Sequence, residues 1–342
     1  ITGATSATLN LPVVSASQNT NKYRVVIFSC SPTGINSAPA TLTVNNPVAI
    51  QTQPQSITLC EVENTTLSVA ATGTGLTYQW QISTDGGTNF SNVTGATAAT
   101  LDLMAVTPAM NGNQYRVVLT GTCNPGGVNS AVITLTVNSL VTISTQPVAT
   151  SVCLPNGAAF SVTAAGTGLG YQWQVSTNGG SSYTNITGAT TAALSIAETT
   201  ITMNGYLYRV VLTGTCNNVT SNAVLLTVTN PVIITTQPVN TSVCETKNTQ
   251  ISVLASGTTL NYQWQVSIAN GAFVNLLNNA NYSGVNTNNL SILNTPLSFN
   301  SYRYRVIVSG VPCGLLVSDA VNLTVNLLPT AVLSINNNMA IN

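Results

Sequence analysis

Apolar and polar residues alternate along a six-residue segment that occurs three times in the chain. Tyr78–Ser83 reads Tyr-Gln-Trp-Gln-Ile-Ser, and nearly the same letters surround Trp173 and Trp264. In the first copy Trp80 and Ile82 lie on one face of an extended chain, while the two glutamines lie on the other. This period of two is typical of a half-buried β-strand.

The three segments mark a long internal repeat. Their tryptophans are the only three in the chain and are separated by 93 and 91 residues. A period of this length with a tryptophan strand in every copy indicates tandem β-domains. We predict three complete domains, here called repeats 1, 2 and 3, flanked by the C-terminal half of another domain and by the first strand of a further domain or a tail. The predicted bounds are 1–45 for the half-domain, 46–138 for repeat 1, 139–230 for repeat 2, 231–326 for repeat 3 and 327–342 for the last segment.

Each predicted repeat reads as a two-layered β-sandwich. Repeat 1 contains seven or eight short alternating runs with turn signals between them, as an all-β sandwich requires. Asp85-Gly86-Gly87 is a hairpin signal, because glycine adopts the positive φ that such turns need. The junctions between repeats, such as Val137-Asn138-Ser139, are very short. Stiff coupling of neighbouring sandwiches in an elongated array is therefore expected.

Charged residues are nearly absent. Seven Lys and Arg and seven Asp and Glu make up 4% of the chain, against about 25% in typical soluble domains. Without a basic patch, nucleic acid is excluded as an expected partner. A surface with zero net charge offers weak protection against association. No apolar run approaches the roughly 18 residues of a membrane span, so no membrane span is expected in this stretch.

The sequence offers no catalytic, cofactor or metal site. It contains no histidine, which excludes histidine-based triads and imidazole ligands. Its carboxylates do not form the acid/base pair of a glycosidase or a calcium loop. Glu61 and Glu63 come nearest to a cation site, and we interpret them as an exposed loop. The chain is therefore predicted not to be an enzyme and to need no cofactor.

A set of motifs resembles a known family. In order they are Gln-Pro, Leu-Ser-Val-x-Ala-x-Gly, Tyr-Gln-Trp-Gln-x-Ser-Thr-x-Gly-Gly, Thr-Gly-Ala-Thr, Met-Asn-Gly and Tyr-Arg-Val-Val. They resemble the bacterial immunoglobulin-like repeats of large secreted surface proteins of the Bacteroidetes, including gliding adhesins exported by the type IX system. The resemblance covers residues 1 to about 326. It implies immunoglobulin-like sandwiches, an extracellular or cell-surface location and a non-catalytic stalk or adhesin.

The resemblance also assigns the core. Val69 and Val117 occupy the two positions where antibody domains carry their buried disulfide, so an aliphatic contact under Trp80 replaces that bond. Tyr115 stands where a tyrosine-corner residue would be, and we expect its hydroxyl to bond a backbone group. The predicted core residues are Trp80, Trp173, Trp264, Tyr115, Tyr208 and Tyr304.

Seven cysteines are disulfide candidates, since none forms a Cys-x-x-Cys motif. They are Cys30, Cys60, Cys123, Cys153, Cys216, Cys244 and Cys313. Their count favours pairing within repeats, which leaves only Cys30 with a partner outside the chain. The predicted pairs are Cys60–Cys123, Cys153–Cys216 and Cys244–Cys313. Immunoglobulin topology puts the two members of each pair at opposite ends of a sandwich, however, and pairing between adjacent repeats, as in Cys60–Cys216, satisfies that geometry better.

Two functions from different classes follow. The leading hypothesis is a structural or adhesive cell-surface protein whose repeats form a stalk, a fibre or an extracellular filament, with self-association end to end or laterally. The second is an array of glycan-binding modules attached to a larger secreted enzyme, with a surface glycan or another cell-surface ligand as partner. It would use the aromatic residues that recur after the hairpin, which are Phe90, Tyr183 and Phe273.

Overall fold

The computed structural model describes residues 1–30 and 32–329, and in these residues every long element is a β-strand. The predicted fold class, all-β with tandem immunoglobulin-like sandwiches, is confirmed. Four one-turn 3-10 helices interrupt the strands at Ala16–Gln18, Pro108–Met110, Ile201–Met203 and Leu297–Phe299. Of the predicted final segment, residues 330–342 lie outside the described residues.

Residues 1–45, which are predicted to be the C-terminal half of a domain, form four two-residue strands. They are β1 (Lys22–Tyr23), β2 (Val26–Ile27), β3 (Ile35–Asn36) and β4 (Ala40–Thr41). β1 pairs with β4 and β2 pairs with β3. The apolar side chains of this region face an open cavity of about 690 Å³ lined by Leu9, Tyr23, Val25 and their neighbours. Val25 is 46% exposed, whereas its equivalent Val117 in repeat 1 is fully buried.

Repeat 1 is a sandwich of two layers. Its strands are β5 (Ala49–Thr52), β6 (Ile57–Cys60), β7 (Thr65–Ser68), β8 (Ala70–Thr72), β9 (Thr77–Ser83), β10 (Ser91–Asn92), β11 (Thr100–Leu103), β12 (Gln114–Gly121), β13 (Asn124–Asn129) and β14 (Ile133–Asn138). One sheet has the order β10-β9-β12-β14-β6, with β13 also paired to β12. The pairs β5–β8 and β7–β11 contribute the other layer. β6 runs parallel to β14, while the other pairs of this sheet are antiparallel.

The core of repeat 1 lies between these layers. Trp80 on β9 is fully buried, and so are Val117 and Leu119 on β12. Leu67 on β7 and Leu101 on β11 pack into the same cluster from the second layer. From Gln114 to Thr120 on β12, half-buried and buried residues alternate, as the pattern of the sequence predicts.

Repeat 2 has the same strand order. Its strands are β15 (Thr142–Thr145), β16 (Thr150–Cys153), β17 (Ala158–Ser161), β18 (Thr163–Ala165), β19 (Gly170–Ser176), β20 (Thr184–Asn185), β21 (Ala193–Ile196), β22 (Leu207–Thr213), β23 (Asn218–Thr220) and β24 (Val224–Thr229). Here Phe160 stacks on Tyr208, with ring centroids 4.9 Å apart. The larger ring takes the core position that Leu67 fills in repeat 1.

Repeat 3 departs from the others at two places. Its strands are β25 (Ile233–Thr236), β26 (Thr241–Cys244), β27 (Thr249–Ser252), β28 (Leu254–Ser256), β29 (Leu260–Ser267), β30 (Val274–Asn275), β31 (Tyr282–Ser283), β32 (Asn289–Ile292), β33 (Arg303–Gly310), β34 (Gly314–Val317) and β35 (Val321–Asn326). β31 is an added strand that pairs with β32 and brings Tyr282 into the core. In its hairpin Ala269 and Asn270 have positive φ values of 52° and 58°, whereas in the other two hairpins the residues with positive φ are glycines.

The core positions predicted for tryptophan and tyrosine are buried in all three repeats. Trp80, Trp173 and Trp264 have no exposed surface, and Tyr115, Tyr208 and Tyr304 are at most 4% exposed. Burial is the main cause that raises the pKa of each of these tyrosine hydroxyls. In repeat 3 the tyrosine hydroxyl bonds a side chain and not the expected backbone group. The hydroxyl oxygen of Tyr304 lies 2.9 Å from the hydroxyl oxygen of Tyr282.

Contact density divides the chain into two compact units. The first contains residues 1–142 together with two loops of repeat 2, Ala165–Leu169 and Gly214–Asn217. By their contacts, these two loops are thus grouped with repeat 1, although their sequence places them in repeat 2. The bounds of the repeats at 46, 139 and 231 stay predictions, since sheet pairing does not fix where one repeat passes into the next.

One buried hydroxyl yields a prediction of increased stability. Among the described residues, Thr295 is fully buried and its hydroxyl has no hydrogen-bond partner. Val106 holds the equivalent place in repeat 1. We expect Thr295→Val to raise the free energy of unfolding of repeat 3 by about 1–2 kcal/mol, because a valine of the same shape removes an unsatisfied polar group. Guanidinium denaturation with hydrogen exchange of repeat 3 measures the change.

The matched control for this prediction is Thr199 in repeat 2. Its buried hydroxyl donates to the Asn156 carbonyl at 2.7 Å, so Thr199→Val should lower stability. A change of the same sign in both variants would contradict the explanation.

Candidate functional site

A polar cluster lies on the outer face of the β10-β9-β12-β14-β6 sheet of repeat 1, here called the large sheet. Arg116 on β12 pairs across the sheet with Gln81 on β9, and both point away from the core because their neighbours point inward. The Arg116 Nε donates to Gln81 Oε1 at 2.8 Å. Gln81 Nε2 in turn donates to Asn92 Oδ1 at 2.9 Å. The guanidinium lies over the ring of Phe90, 4.1 Å from its centroid.

The same arrangement, here called the arginine–aromatic cluster, recurs in the other repeats. In repeat 2 the arginine lies 3.7 Å from the tyrosine ring centroid, and in repeat 3 it lies 4.0 Å from the phenylalanine ring centroid. Its Nε donates to the strand glutamine at 2.8 and 2.7 Å, respectively. The members are Gln174, Tyr183, Asn185 and Arg209 in repeat 2, and Gln265, Phe273, Asn275 and Arg305 in repeat 3.

The hairpin beside the cluster is held by its own polar groups. Ser83 donates to Asp85 Oδ1 at 2.6 Å, and the Asn89 backbone N–H donates to the same carboxylate at 2.9 Å. The Asn89 backbone bond is the largest cause that lowers the pKa of Asp85 to about 2. Asn178 takes this place in repeat 2, so the turn shared by repeats 1 and 2 uses a side-chain acceptor that need not be charged.

The aromatic residues predicted to face a ligand sit inside this cluster. Phe90, Tyr183 and Phe273 are half-buried, and an arginine covers one face of each ring. Their role in ligand binding stays a prediction. Within the cluster the arginine Nε donates to the glutamine and the glutamine Nε2 donates to the asparagine, and no nucleophile or acid/base pair is brought together. Sequence reasoning missed the asparagines at Asn92, Asn185 and Asn275, whose signal is their recurrence two residues after the aromatic.

A double-mutant cycle in repeat 3 tests whether the cluster contributes to stability. Arg303 and Arg305 both face Phe273, at 5.8 and 4.0 Å from the ring centroid. We expect a coupling of about 0.5–1 kcal/mol between Arg305→Ala and Phe273→Ala, because a cation close to a ring face is attracted by its quadrupole. Denaturation of the two single variants and the double variant gives the value.

Arg303 is the internal control for this cycle. Its greater distance from the same ring predicts a clearly smaller coupling. Equal couplings for the two arginines would show that the ring acts only by burying surface.

The disulfides contradict the predicted pairing within repeats. The structure contains Cys60–Cys216, with Cα atoms 5.8 Å apart, and Cys153–Cys313, with Cα atoms 5.1 Å apart. Each bond joins one repeat to the next. Pairing of Cys60 with Cys123, of Cys153 with Cys216 and of Cys244 with Cys313 was therefore wrong, and the alternative between adjacent repeats is the observed one.

Sheet topology explains the correction. Cys60 ends β6 and pairs in parallel with Asn138 at the end of β14, so both residues lie where the chain leaves repeat 1. Cys123 follows β12, which runs antiparallel to β14 and ends at the opposite side. β12 has eight residues and spans roughly 25 Å at the rise of a strand. A disulfide requires Cα atoms within about 7 Å.

Two names for the cysteines follow from this geometry. Cys60, Cys153 and Cys244 are the exit cysteines, each at the end of a strand parallel to the last strand of its repeat. Cys123, Cys216 and Cys313 are the entry cysteines, each just after the long strand β12, β22 or β33. Both observed bonds join an exit cysteine to the entry cysteine of the following repeat. The four bonded cysteines are half-buried, whereas Cys30, Cys123 and Cys244 are exposed free thiols.

Polar contacts reinforce the first of these bonds. The Sγ of Cys216 lies 3.6 Å from the Asn138 carbonyl. Glu61 Oε1 accepts from the Leu140 backbone N–H at 2.7 Å, directly after the end of repeat 1. Glu63 accepts from the Cys60 backbone N–H at 2.9 Å. The two carboxylates thus bind backbone groups on either side of the junction.

A search of the described residues finds no group of three or more His, Cys, Asp or Glu side chains that could hold a metal ion. Among the same residues no helix is long and apolar enough to cross a membrane.

Comparison with known proteins identifies the repeats. The model of a domain of unknown function (DUF8696) matches residues 49–139 and 142–230, which together make up more than half of the chain. The chain belongs to the DUF8696 family. The Cys60–Cys216 bond accordingly joins two DUF8696 domains. Repeat 3, which the family model does not match, has the same exit and entry cysteines and an arginine–aromatic cluster.

Several solved structures are similar to this chain at low sequence identity. The titin I-band fragment I67-I69 has a TM-score of 0.49 and 15% identity, covering 82% of this chain and 99% of that chain. Extracellular domains 3-5 of Drosophila OTK have a TM-score of 0.46 and 18% identity over 82% and 99% of the two chains. Immunoglobulin domains 1-5 of Sidekick-1 have a TM-score of 0.42 and 14% identity over 92% and 68%. No curated protein matches the DUF8696 chain.

Proposed function

We propose that this chain is a non-catalytic structural or adhesive part of an extracellular cell-surface protein, whose repeats form a stalk, a fibre or a filament. The observation that carries the proposal is the pair of disulfides between successive repeats. A bond between neighbouring domains transmits tension covalently past the short linker, as a stalk requires. Disulfides persist in oxidising compartments, which supports an extracellular location.

The surface supports self-association as part of the proposal. Seven acidic and seven basic residues in 342 leave little electrostatic repulsion between copies. Sandwiches commonly protect their edge strands with charge. The edge strands of the large sheet in repeat 1, β10 and β6, carry no charged residue. End-to-end or lateral contact between copies therefore meets no charge barrier at these edges.

Surface labelling and electron microscopy of unreduced material test the proposal. We expect an antibody raised against residues 139–230 to label intact cells of the producing organism, and sheared surface material to contain labelled rods or fibres. Cysteine mapping on that material should recover the Cys60–Cys216 bond. Labelling that requires cell lysis, with Cys60 found as a thiol, would overturn the proposal.

The glycan-binding array remains the second candidate because the rings of Phe90, Tyr183 and Phe273 are only half-buried. The test is retention on a panel of surface polysaccharides by the chain and by the variant with all three rings replaced by leucine. Leucine keeps much of the apolar packing but cannot stack on a sugar. Retention that is lost in this variant favours glycan binding, and unchanged or absent retention removes this candidate.

A further inference from the structure

Cys244 is the third member of a set whose other two members are bonded. The exit cysteines pair in parallel with the last residue of their own repeat. These pairs are Cys60 with Asn138, Cys153 with Thr229, and Cys244 with Asn326. The residue after each cysteine then donates its backbone N–H to the carbonyl of that last residue, at 2.9, 3.0 and 2.9 Å. The backbone around Cys244 thus has the form seen at the two bonded sites.

The same carbonyl lies beside the incoming sulfur at both bonded sites. The Cys216 Sγ is 3.6 Å from the Asn138 carbonyl, and the Cys313 Sγ is 3.8 Å from the Thr229 carbonyl. The carbonyl of Asn326 occupies this place next to Cys244. At two of the three sites this arrangement holds the entry cysteine of the following repeat. The third site, at Cys244, is therefore expected to bind an entry cysteine as well.

A carboxylate beside Cys244 repeats the first junction. Glu245 follows Cys244 as Glu61 follows Cys60. Glu245 Oε1 accepts from the Leu328 backbone N–H at 3.3 Å, and Glu61 Oε1 accepts from the Leu140 backbone N–H at 2.7 Å. The chain leaving repeat 3 is therefore held in the same way as the chain that enters repeat 2.

We propose that the end of repeat 3 formed by Cys244, Glu245 and Asn326 is the binding site of a further repeat of the same type, which bonds to Cys244 through its entry cysteine. This inference deepens the proposed function and rests on it only for the oxidising compartment. The partner is identified by a cysteine at the position equivalent to Cys216, on a loop like the one that carries Cys216.

The chemistry of the bond is thiol oxidation. The two thiols of Cys244 and the entry cysteine lose two protons and two electrons as their sulfur–sulfur bond forms. A small-molecule disulfide accepts the electrons and protons and leaves as two thiols. The exposed position of Cys244 gives such an oxidant access.

A chain extended by one repeat tests the proposal. A second copy of residues 139–230 is joined directly after Asn326, so that its first residues follow Asn326 as they follow Asn138 in the natural chain. After refolding with oxidised and reduced glutathione, we expect mass spectrometry to find Cys244 linked to the added copy's Cys216. Thiol titration in denaturant should stay at the three free cysteines of the parent chain, because one added cysteine and Cys244 are consumed while the other added cysteine stays free.

Matched variants make the result decisive. Cys216→Ser in the added copy alone should leave Cys244 as a thiol, and Glu245→Gln should slow formation of the bond several-fold. A folded added copy, judged by protection of its buried tryptophan from quenching, with Cys244 still a free thiol would overturn the proposal. If that copy fails to fold, a copy of residues 230–326, which follow Thr229 in the natural chain and whose Cys313 bonds there, replaces it after Asn326, and a free Cys244 there is equally contrary. This test uses purified protein, whereas surface labelling uses intact cells. Either experiment can therefore fail while the other succeeds.

Discussion

Replacing Cys60 and Cys216 together by serine should lower the free energy of unfolding of the first two repeats by about 5 kcal/mol in the chain-entropy model. The bond spans 156 residues, and a cross-link over so long a segment removes much of the entropy of the unfolded chain. Guanidinium denaturation should show the midpoint falling. Hydrogen exchange should show repeats 1 and 2 opening separately, because each repeat then depends on its own core and on its remaining contacts with its neighbours.

The free thiols supply the control for this experiment. Cys123→Ser and Cys244→Ser remove the same chemical group from equivalent strand ends without breaking a bond, and each should leave the midpoint unchanged. The explanation fails if these variants destabilise the chain as much as the loss of Cys60 and Cys216 does.

Replacing Trp80 by alanine should cost repeat 1 about 3–5 kcal/mol. The indole is fully buried between the two layers, and its Nε1–H donates to the Ala98 carbonyl at 3.1 Å. Alanine leaves a cavity and a carbonyl without its donor. Limited proteolysis should cut repeat 1 at denaturant concentrations at which the fluorescence of Trp173 and Trp264 still reports buried rings.

Val132→Ala is the companion variant, since Val132 lies in the same repeat but is 48% exposed. It should change the stability of repeat 1 by less than about 0.5 kcal/mol. Loss of all three repeats in step with Trp80→Ala would instead show that they unfold as one cooperative body.

Much of the sandwich could be predicted from sequence because its signals are local. The alternation around Trp80 identifies a strand and its buried face, and the structure puts that tryptophan at the centre of a core. Asp85-Gly86-Gly87 marks a turn because only certain residues adopt positive φ without strain, and both glycines do so. Each of these inferences needs fewer than ten residues of sequence.

The disulfide pairing could not be predicted because it depends on contacts that are distant in sequence. Whether Cys60 lies near Cys123 or near Cys216 is decided by the parallel pairing of β6 with β14, which no short pattern reveals. The count of two cysteines per repeat favours pairing within repeats, but a count carries no information on which ends of two sandwiches meet. The arginine–aromatic cluster could be predicted only in part. The recurrence of its members is visible in the sequence, but their approach across three strands is not.

The order of the bonded cysteines along the chain has a consequence for proteolysis. Cys60–Cys216 and Cys153–Cys313 interleave, so every peptide bond between Cys60 and Cys313 lies within a segment closed by at least one disulfide. A protease that makes one cut anywhere in this region therefore leaves both pieces covalently joined. Such a nicked molecule keeps its full mass until it is reduced, and an attached load would stay attached.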